Sequence, residues 1–255
     1  MSQKYPIWDD IQHSLFKTKD TGIHDRIDNL DLRCINEAGE FYRPKFLHSP
    51  CLLNLLNEPI VNCSDATIKG FGVKEIWITM EPETGIITVY NDGKGIDIMK
   101  HEQGSEMLQR EVFVPEVVFT NFRCGSNLVA KDNHAVGGTN GLGIKLTNVH
   151  SDWLELETVD AKRKKIFKQK YALAEYEIGE PEIEDYKDPS YTQLRFLPTY
   201  KRFGYGKKPK PDEFGEFIDL IRYKLYLLST FLAFKKVKVY LNDELIPVKS
   251  TKDLL

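Results

Sequence analysis

The sequence has 255 residues, of which 41% are hydrophobic and 29% are charged. These are the proportions of an ordinary globular chain, and they exclude global disorder. The 35 basic and 38 acidic side chains leave a net charge of −3, which is not the balance of a domain that coats DNA by itself.

The chain carries no obvious membrane or export signal. No stretch approaches the roughly 20 apolar residues that a membrane-spanning helix needs, and residues 1–6 lack the apolar run of a signal peptide. These features predict a cytosolic, viral or nuclear compartment and no contact with a membrane.

The four cysteines, Cys34, Cys51, Cys63 and Cys124, are scattered along the chain. No two of them form a Cys-x-x-Cys pair, which is the usual spacing in structural zinc sites. The spacing therefore predicts reduced, mostly buried thiols and no structural zinc.

The first 48 residues show weak periodicity and many polar side chains, which predicts an N-terminal arm and irregular structure. Ser49-Pro50 then has the form of a helix N-cap followed by proline at the first helical position. Apolar residues follow at helical spacing, and Pro59 within them should bend the helix or cost it a hydrogen bond. These apolar residues are Leu52, Leu53, Leu55, Leu56, Ile60 and Val61.

The remaining elements alternate between hairpins and helices. Strands 75–80 and 86–90 form a hairpin around the turn 81–85. The later elements are predicted in chain order as a helix over 98–111, a long loop over 124–143, a helix over 143–149, strands over 153–159, 166–171 and 192–197, a helix over 212–231, and a hairpin over 236–241 and 245–248. This order indicates an α+β fold with a mainly antiparallel sheet covered on one face.

Charge is unevenly distributed along the chain. Basic side chains cluster over 162–170 and 201–210, and acidic side chains cluster over 175–185. Solvated hairpins or loops explain such runs, and a surface that tracks DNA is the alternative interpretation.

Three polar residues, Glu58, Asn62 and Asp65, are spaced four and three apart within the Leu-rich helical pattern. This spacing places all three side chains on one face of the helix. An exposed stripe on an amphipathic helix would have the same pattern. The functional interpretation is a carboxylate base beside an amide that holds a metal ion.

The segment Asp92-Gly93-x-Gly95 follows the end of a predicted strand. Glycine there lets the backbone approach a flat ligand closely, and the carboxylate of Asp92 could accept hydrogen bonds from an exocyclic amine such as that of adenine. A tight turn would have the same sequence.

The segment from Gly137 to Lys145 contains four glycines in seven residues, then a helix start and a lysine. Backbone amides at a helix N-terminus attract anions, and glycines let phosphate approach. Lys145 adds a positive charge. The segment does not match the Walker pattern Gly-x4-Gly-Lys-Ser/Thr, because the spacing of its glycines is wrong and no Ser or Thr follows the lysine. A flexible loop is the alternative interpretation.

These three motifs, in this order, resemble the nucleotide-binding boxes of the GHKL ATPases. The stretch 57–65 is similar to the first box of the type II topoisomerases in that superfamily, and 137–145 is similar to their Gly-Gly-x-Asn-Gly-x-Gly-x-Lys box. Segments 114–116, 126–127 and 237–248 resemble eukaryotic members, and 101–112 resembles those of large DNA viruses. The sequence departs from the family at Pro59, at Ala66, where many members have Asn, and at Thr139, which replaces a common Arg.

The resemblance implies a role for each motif. Glu58 would be the general base that activates the attacking water, and Asn62 would hold Mg²⁺. Lys145 would act as a catalytic residue that meets the terminal phosphate of ATP. The nucleotide-binding residues that the resemblance implies are Asn62, Asp65, Asp92, Gly95, Ser126, Asn127, Asn140, Gly141, Leu142, Gly143 and Lys145.

The resemblance covers residues 50–249 and implies the two-layer GHKL fold, with helices on one face of a mixed, mainly antiparallel sheet. We expect an arm and irregular segment over 1–48 and the ATP-binding domain over 49–255, as a fragment of a longer enzyme. ATP binding would dimerise that enzyme for passage of one DNA segment through another. The alternative is a nucleotide-binding module with little hydrolysis in isolation. The expected location is nuclear or cytoplasmic, or the host cytoplasm for a large DNA virus.

Overall fold

A nine-stranded sheet forms the centre of the computed structural model, which describes residues 7–17, 22–28, 32–124 and 141–247. Seven strands follow one another in the order β11-β10-β3-β4-β9-β5-β6, and β7 and β8 both pair with β6. The strands are β3 Glu75–Met80, β4 Ile87–Asn91, β5 Ser151–Asp160, β6 Lys165–Ala172, β7 Glu177–Ile178, β8 Glu182–Asp185, β9 Thr192–Pro198, β10 Lys238–Leu241 and β11 Glu244–Leu245.

Within the described residues of this sheet, β10 and β3 are parallel and the other pairs are antiparallel. The side chains of β3 and β4 alternate between buried and half-buried, as expected for a sheet covered on one face. Trp77 and Tyr240 face each other across the β3–β10 pair on the half-buried face, with ring centroids 3.9 Å apart. The predicted α+β fold with a mixed, mainly antiparallel sheet is confirmed.

Within the residues that the structure describes, six α-helices accompany the sheet: α1 Asp10–Phe16, α2 Pro50–Ile68, α3 Glu102–Leu108, α4 Val114–Thr120, α5 Gly143–Val149 and α6 Pro211–Leu232. The core lies where α2, α5 and α6 meet the buried face of the sheet. Ser49 caps α2 as predicted, since its hydroxyl oxygen accepts a hydrogen bond from the Leu52 amide at 3.3 Å. The helix continues through Pro59, which is buried. Among the described residues, no helix combines the length and apolar character that crossing a bilayer requires.

The prediction of irregular structure over 1–48 was wrong for three short elements. Helix α1 and a two-stranded ribbon, β1 Cys34–Ile35 with β2 Phe41–Tyr42, lie in that segment. Elements this short carry too few residues to show periodicity, and tertiary contacts hold them. The hydroxyl of Tyr42, for example, donates to Asp219 of α6 at 2.7 Å.

Two further differences between the predicted and the observed helices lie before residue 121. The helix predicted over 98–111 is confined to Glu102–Leu108 because Gln109 adopts a left-handed φ of 52°, which ends it. Helix α4 was not predicted. The predicted helix over 143–149 is confirmed.

A buried carboxylate on α6 anchors the segment that leads into α2. Glu216 accepts hydrogen bonds from the backbone amides of Lys45 at 2.6 Å and Phe46 at 2.9 Å. Its second oxygen also lies 2.9 Å from His48 Nε2. Burial lowers the pKa of His48, which opposes the rise that Glu216 causes, so the ring is a neutral donor at neutral pH.

We predict that Glu216→Ala lowers the free energy of unfolding by about 3 kcal/mol, because it leaves several enclosed donors without an acceptor. Urea unfolding followed by circular dichroism measures this difference. Glu106→Ala is the control, since Glu106 is exposed on α3, and its effect should stay within about 0.5 kcal/mol. An equal, small effect of both variants would contradict the anchoring role.

Candidate functional site

The carboxylate of Glu58 lies directly against the first residue of α5. A Cβ atom at position 143 would lie 1.7 Å from Glu58 Oε2 and 2.5 Å from Glu58 Cδ, well inside van der Waals contact. Glycine at position 143 is therefore the residue that allows α2 and α5 to approach this closely. The contact brings the first and third sequence motifs together.

A second contact holds the same two helices in register. The hydroxyl of Thr147 on α5 donates to the backbone carbonyl of Leu55 on α2 at 3.1 Å. Leu55 lies three residues, a little less than one helical turn, before Glu58, so this hydrogen bond fixes the position of α5 along α2 next to the Glu58–Gly143 contact. Both Thr147 and Leu55 are buried.

The predicted polar face of α2 is only partly exposed. Asn62 is exposed, Glu58 is half-buried, and Asp65 is buried with 5% of its surface accessible. A solvated stripe on an amphipathic helix does not fit this burial, because Asp is rarely placed inside without a specific partner. Glu58 and Asp65, which the spacing placed on one face of α2, are close enough to interact electrostatically.

Burial raises the pKa of Glu58 above its usual value, and the negative charge of Asp65 raises it further. Lys224 on α6 opposes both effects. The sequence did not single out Lys224, because a lysine on a long amphipathic helix usually lies in solvent. Here burial lowers the pKa of Lys224, and the Glu58 carboxylate partly restores it. The two charges therefore interact across α2 and α6.

The second motif follows β4 and bends at Gly93. Asp92 Oδ1 accepts hydrogen bonds from the backbone amides of Lys74 at 2.7 Å and Glu75 at 2.9 Å. Its other oxygen, Oδ2, makes no hydrogen bond to any described residue. A Cβ atom at Gly95 would lie 1.9 Å from the carbonyl oxygen of Val159 in β5, so close packing alone demands glycine there.

Asn91 connects this turn to α2. Its amide nitrogen donates to Cys63 Sγ at 3.5 Å, and its amide oxygen accepts from the Gly93 backbone at 3.2 Å. Cys63 lies between Asn62 and Asp65 on α2. The second motif is thus attached to the same helix that carries Glu58, and all three motifs meet around α2.

Lys145 on α5 is buried, with 2% of its surface accessible. Its ammonium group donates to the backbone carbonyl of Cys124, and among the described residues no carboxylate pairs with it. Burial lowers the pKa of Lys145 from 10.5 to about 8, and a difference of this size corresponds to about 3 kcal/mol against the charged form. An anion bound beside Lys145 would remove this penalty.

The backbone before α5 is shaped for a close approach. Gly141 has φ +61°, and a Cβ atom there would lie 2.7 Å from the Cys124 carbonyl oxygen. Leu142, at the N-cap position of α5, offers no side-chain cap for the free amides that follow. The other residues expected from this loop, Ser126, Asn127 and Asn140, lie outside the described residues.

Taken together, α2, α5 and the turn after β4 present two kinds of polar group. The carboxylate of Glu58 and the amide of Asn62 offer oxygen atoms to a hard cation. Lys145 and the uncapped start of α5 offer positive charge to an anion. A ligand that combines phosphates with a divalent cation matches both sets.

Similar sequences were found among the type II topoisomerases. The chain is 32% identical over 203 residues to DNA topoisomerase 2 of Penicillium chrysogenum, which covers 80% of this chain. It is 31% identical over 199 residues to that of African swine fever virus and 34% identical over 155 residues to that of Acanthamoeba polyphaga mimivirus, which cover 77% and 61% of this chain. The chain spans only 12% to 16% of the length of these relatives.

Solved structures give the same result. The ATPase region of Saccharomyces cerevisiae topoisomerase II, solved with dexrazoxane bound, superimposes with a TM-score of 0.86 at 26% identity, over 98% of this chain and 63% of that one. The ATPase and transducer domains of Balamuthia mandrillaris topoisomerase II share the fold with a TM-score of 0.83 at 24% identity, over 97% of this chain and 61% of that one. No family model matches the chain. The sequence and structural relatives agree, and the chain belongs to the family of GHKL ATPase domains of type II DNA topoisomerases, of the kind found in eukaryotes and large DNA viruses.

Proposed function

We propose that this chain binds ATP with Mg²⁺ and hydrolyses it, as the ATPase domain of a type II DNA topoisomerase. The observation that carries the proposal is the contact between the Glu58 carboxylate and Gly143 at the start of α5. It brings a general base next to a helix N-terminus, and the same helix carries the buried cation Lys145.

Glu58 is the proposed general base. Its pKa is raised by burial and by Asp65, so its carboxylate takes a proton more readily than an exposed one. In the proposed reaction, Glu58 accepts the proton of the attacking water while the water oxygen bonds to the terminal phosphorus. The bond between that phosphorus and the bridging oxygen of ADP then breaks, which releases ADP and phosphate.

Asn62 is the proposed protein ligand of Mg²⁺. Its exposed amide lies one helical turn from Glu58, and amide and carboxylate oxygens suit this hard cation. When bound, Mg²⁺ would neutralise charge on the phosphates. Asp65 belongs to the same face of α2, and its proposed part is to contact the nucleotide and to keep Glu58 basic.

Positive charge and backbone amides are proposed to hold the phosphates. Lys145 would meet the terminal phosphate, and the backbone of Gly141, Leu142 and Gly143 would cradle the others. Asn140, together with Ser126 and Asn127 as contacts to ribose or phosphate, extends this proposal by family resemblance alone.

Adenine recognition is proposed for the second motif. Asp92 Oδ1 is occupied by two backbone amides, which fix the carboxylate in place, and Oδ2 is the atom proposed to accept the exocyclic amine of adenine. Gly95 keeps the turn tight enough for the base to lie beside it. The same carboxylate would thus serve the turn and the ligand.

The wider proposal concerns the longer enzyme. Since the chain spans 12% to 16% of its relatives, DNA strand passage, and homodimerisation on ATP binding, would require segments beyond it. We propose that ATP binding by this domain closes such a dimer around a DNA segment. A nuclear or host-cytoplasmic location would follow from that role.

Glu58→Gln tests the general base. We predict that it slows single-turnover hydrolysis of bound ATP by a factor on the order of 10²–10⁴, because the amide cannot accept the proton. ATP affinity, measured by calorimetry, should stay within a few-fold. Glu106→Gln on the exposed surface of α3 should change neither quantity.

Two other outcomes of this experiment are informative. If Glu58→Gln abolishes binding but the bound fraction turns over normally, Glu58 is a binding residue and Asp65 becomes the candidate base. If the unaltered chain binds ATP and does not hydrolyse it, the domain acts in isolation as a nucleotide-binding module, and the base assignment has to be repeated in the longer enzyme.

Gly143→Ala tests the helix contact itself. The added methyl group would occupy the position of the Glu58 carboxylate, so we predict a loss of hydrolysis comparable to that of Glu58→Gln. Gly215→Ala is the matched control, because a Cβ atom at Gly215 within α6 meets nothing within 4 Å. The control should retain activity and gain a few tenths of a kcal/mol or more in stability. Normal hydrolysis by Gly143→Ala would show that the contact is dispensable.

Lys145→Met tests whether the buried charge of Lys145, which is proposed to bind ATP, lowers the stability of the nucleotide-free chain. Removing a buried charge that opposes folding should raise the free energy of unfolding of the nucleotide-free chain by on the order of 1–3 kcal/mol, while ATP affinity falls. Because the pKa of Lys145 is about 8, ATP affinity of the unaltered chain should also decline from pH 7 to pH 9 as the amine loses its charge. The Met variant should lack that decline. A destabilised Met variant would refute the proposed cost.

A further inference from the structure

About two helical turns along α2 and α5 from the Glu58–Gly143 contact, two histidines and a cysteine converge. They come from three distant segments: His24 from the segment 22–28, Cys51 from the first turn of α2, and His150 from the end of α5. One ligand atom of each, His N or Cys Sγ, lies within 4.8 Å of the others. The imidazole rings of His24 and His150 meet edge to face, with centroids 5.2 Å apart.

His150 is the most informative member of this cluster. Its side chain is fully buried, and neither Nδ1 nor Nε2 has a hydrogen-bond partner among the described residues. The Ser14 carbonyl faces the ring without reaching hydrogen-bond geometry. A buried imidazole with two unsatisfied nitrogens costs free energy, and a metal ion is one partner that would satisfy one of them.

We propose that His24, Cys51 and His150 form a zinc site. Thiolate sulfur and imidazole nitrogen are the ligands that Zn²⁺ prefers, and three protein ligands leave its fourth position to water. Tetrahedral bonds to these atoms place them roughly 3.4–3.6 Å apart, so the side chains need to close by little more than 1 Å. Rotation of the half-buried His24 ring can supply much of this movement.

The charges around the cluster are consistent with zinc bound through a thiolate. Arg202 lies close enough to interact with His24, Cys51 and His150, where it repels a cation but favours an anionic sulfur ligand. The N-terminal turn of the 19-residue helix α2 favours the thiolate as well. Asp25 adds a further negative charge beside His24.

Zinc at this position would connect the N-terminal segment to both helices that carry the nucleotide site. The segment already touches α2, since the Cys51 amide donates to the Ile23 carbonyl at 3.0 Å. His150 ends α5, whose first residue contacts Glu58. A metal held by all three elements would fix the relative position of α2 and α5.

Metal titration of the reduced, full 255-residue chain tests the proposal. We expect one tightly bound Zn²⁺ per chain and a higher unfolding temperature with zinc, which Mg²⁺ does not produce. Co²⁺ in place of zinc should give a thiolate-to-cobalt charge-transfer band. Cys51→Ser should remove that band, and His24→Asn should weaken zinc binding by roughly tenfold or more.

Cys34→Ser is the matched control, because Cys34 is an equally buried free thiol in the β1–β2 ribbon. It should keep both the band and the zinc affinity. His24→Asn serves as the second variant if Cys51→Ser does not fold, since His24 is partly exposed. The proposal is overturned if one equivalent of Zn²⁺ does not bind, or if both variants bind zinc and cobalt as the unaltered chain does.

Discussion

The arrangement of the site depends on how closely α5 approaches α2. Gly143 has no side chain, so the backbone of α5 can lie on the carboxylate of Glu58. The hydrogen bond from Thr147 to the Leu55 carbonyl fixes the two helices at this separation. Without that approach, the base and the helix N-terminus would belong to separate surfaces.

Two buried or half-buried charged groups at this site oppose folding of the nucleotide-free chain. A cationic Lys145 without a described carboxylate partner, and a Glu58 whose pKa is raised by burial and by Asp65, both favour a ligand over a dry core. The first turns of α6 are different, because Glu216 there accepts hydrogen bonds from three donors: the backbone amides of Lys45 and Phe46, and His48 Nε2.

How much the sequence predicts depends on the range of the interaction. The long helix α6, the hairpin of β3 and β4 and the cap at Ser49 follow from local patterns and were predicted almost to the residue, whereas the last hairpin was predicted with bounds two to three residues off. Helix α1, helix α4 and the β1–β2 ribbon were not predicted, because tertiary contacts such as Tyr42 with Asp219 stabilise them.

The same limit on sequence-based prediction applies within the candidate site. The spacing predicted that Glu58 and Asp65 share one face of α2. It could not predict the interaction of Glu58 with Lys224 or the contact between His24 and His150, because both join segments that are distant in sequence.

Glycine motifs carry information about function only when the atoms that exclude a side chain are known. At Gly95, the carbonyl oxygen of Val159 in β5 occupies the space where Cβ would lie, so packing requires glycine there with or without a ligand. At Gly143, the carboxylate of Glu58 occupies the space where Cβ would lie. A helix N-terminus favours a nearby carboxylate, but burial and the charge of Asp65 raise the pKa of Glu58 and oppose its charged form. The pair Glu58 and Gly143 therefore argues for chemistry more strongly than the richer glycine pattern around it.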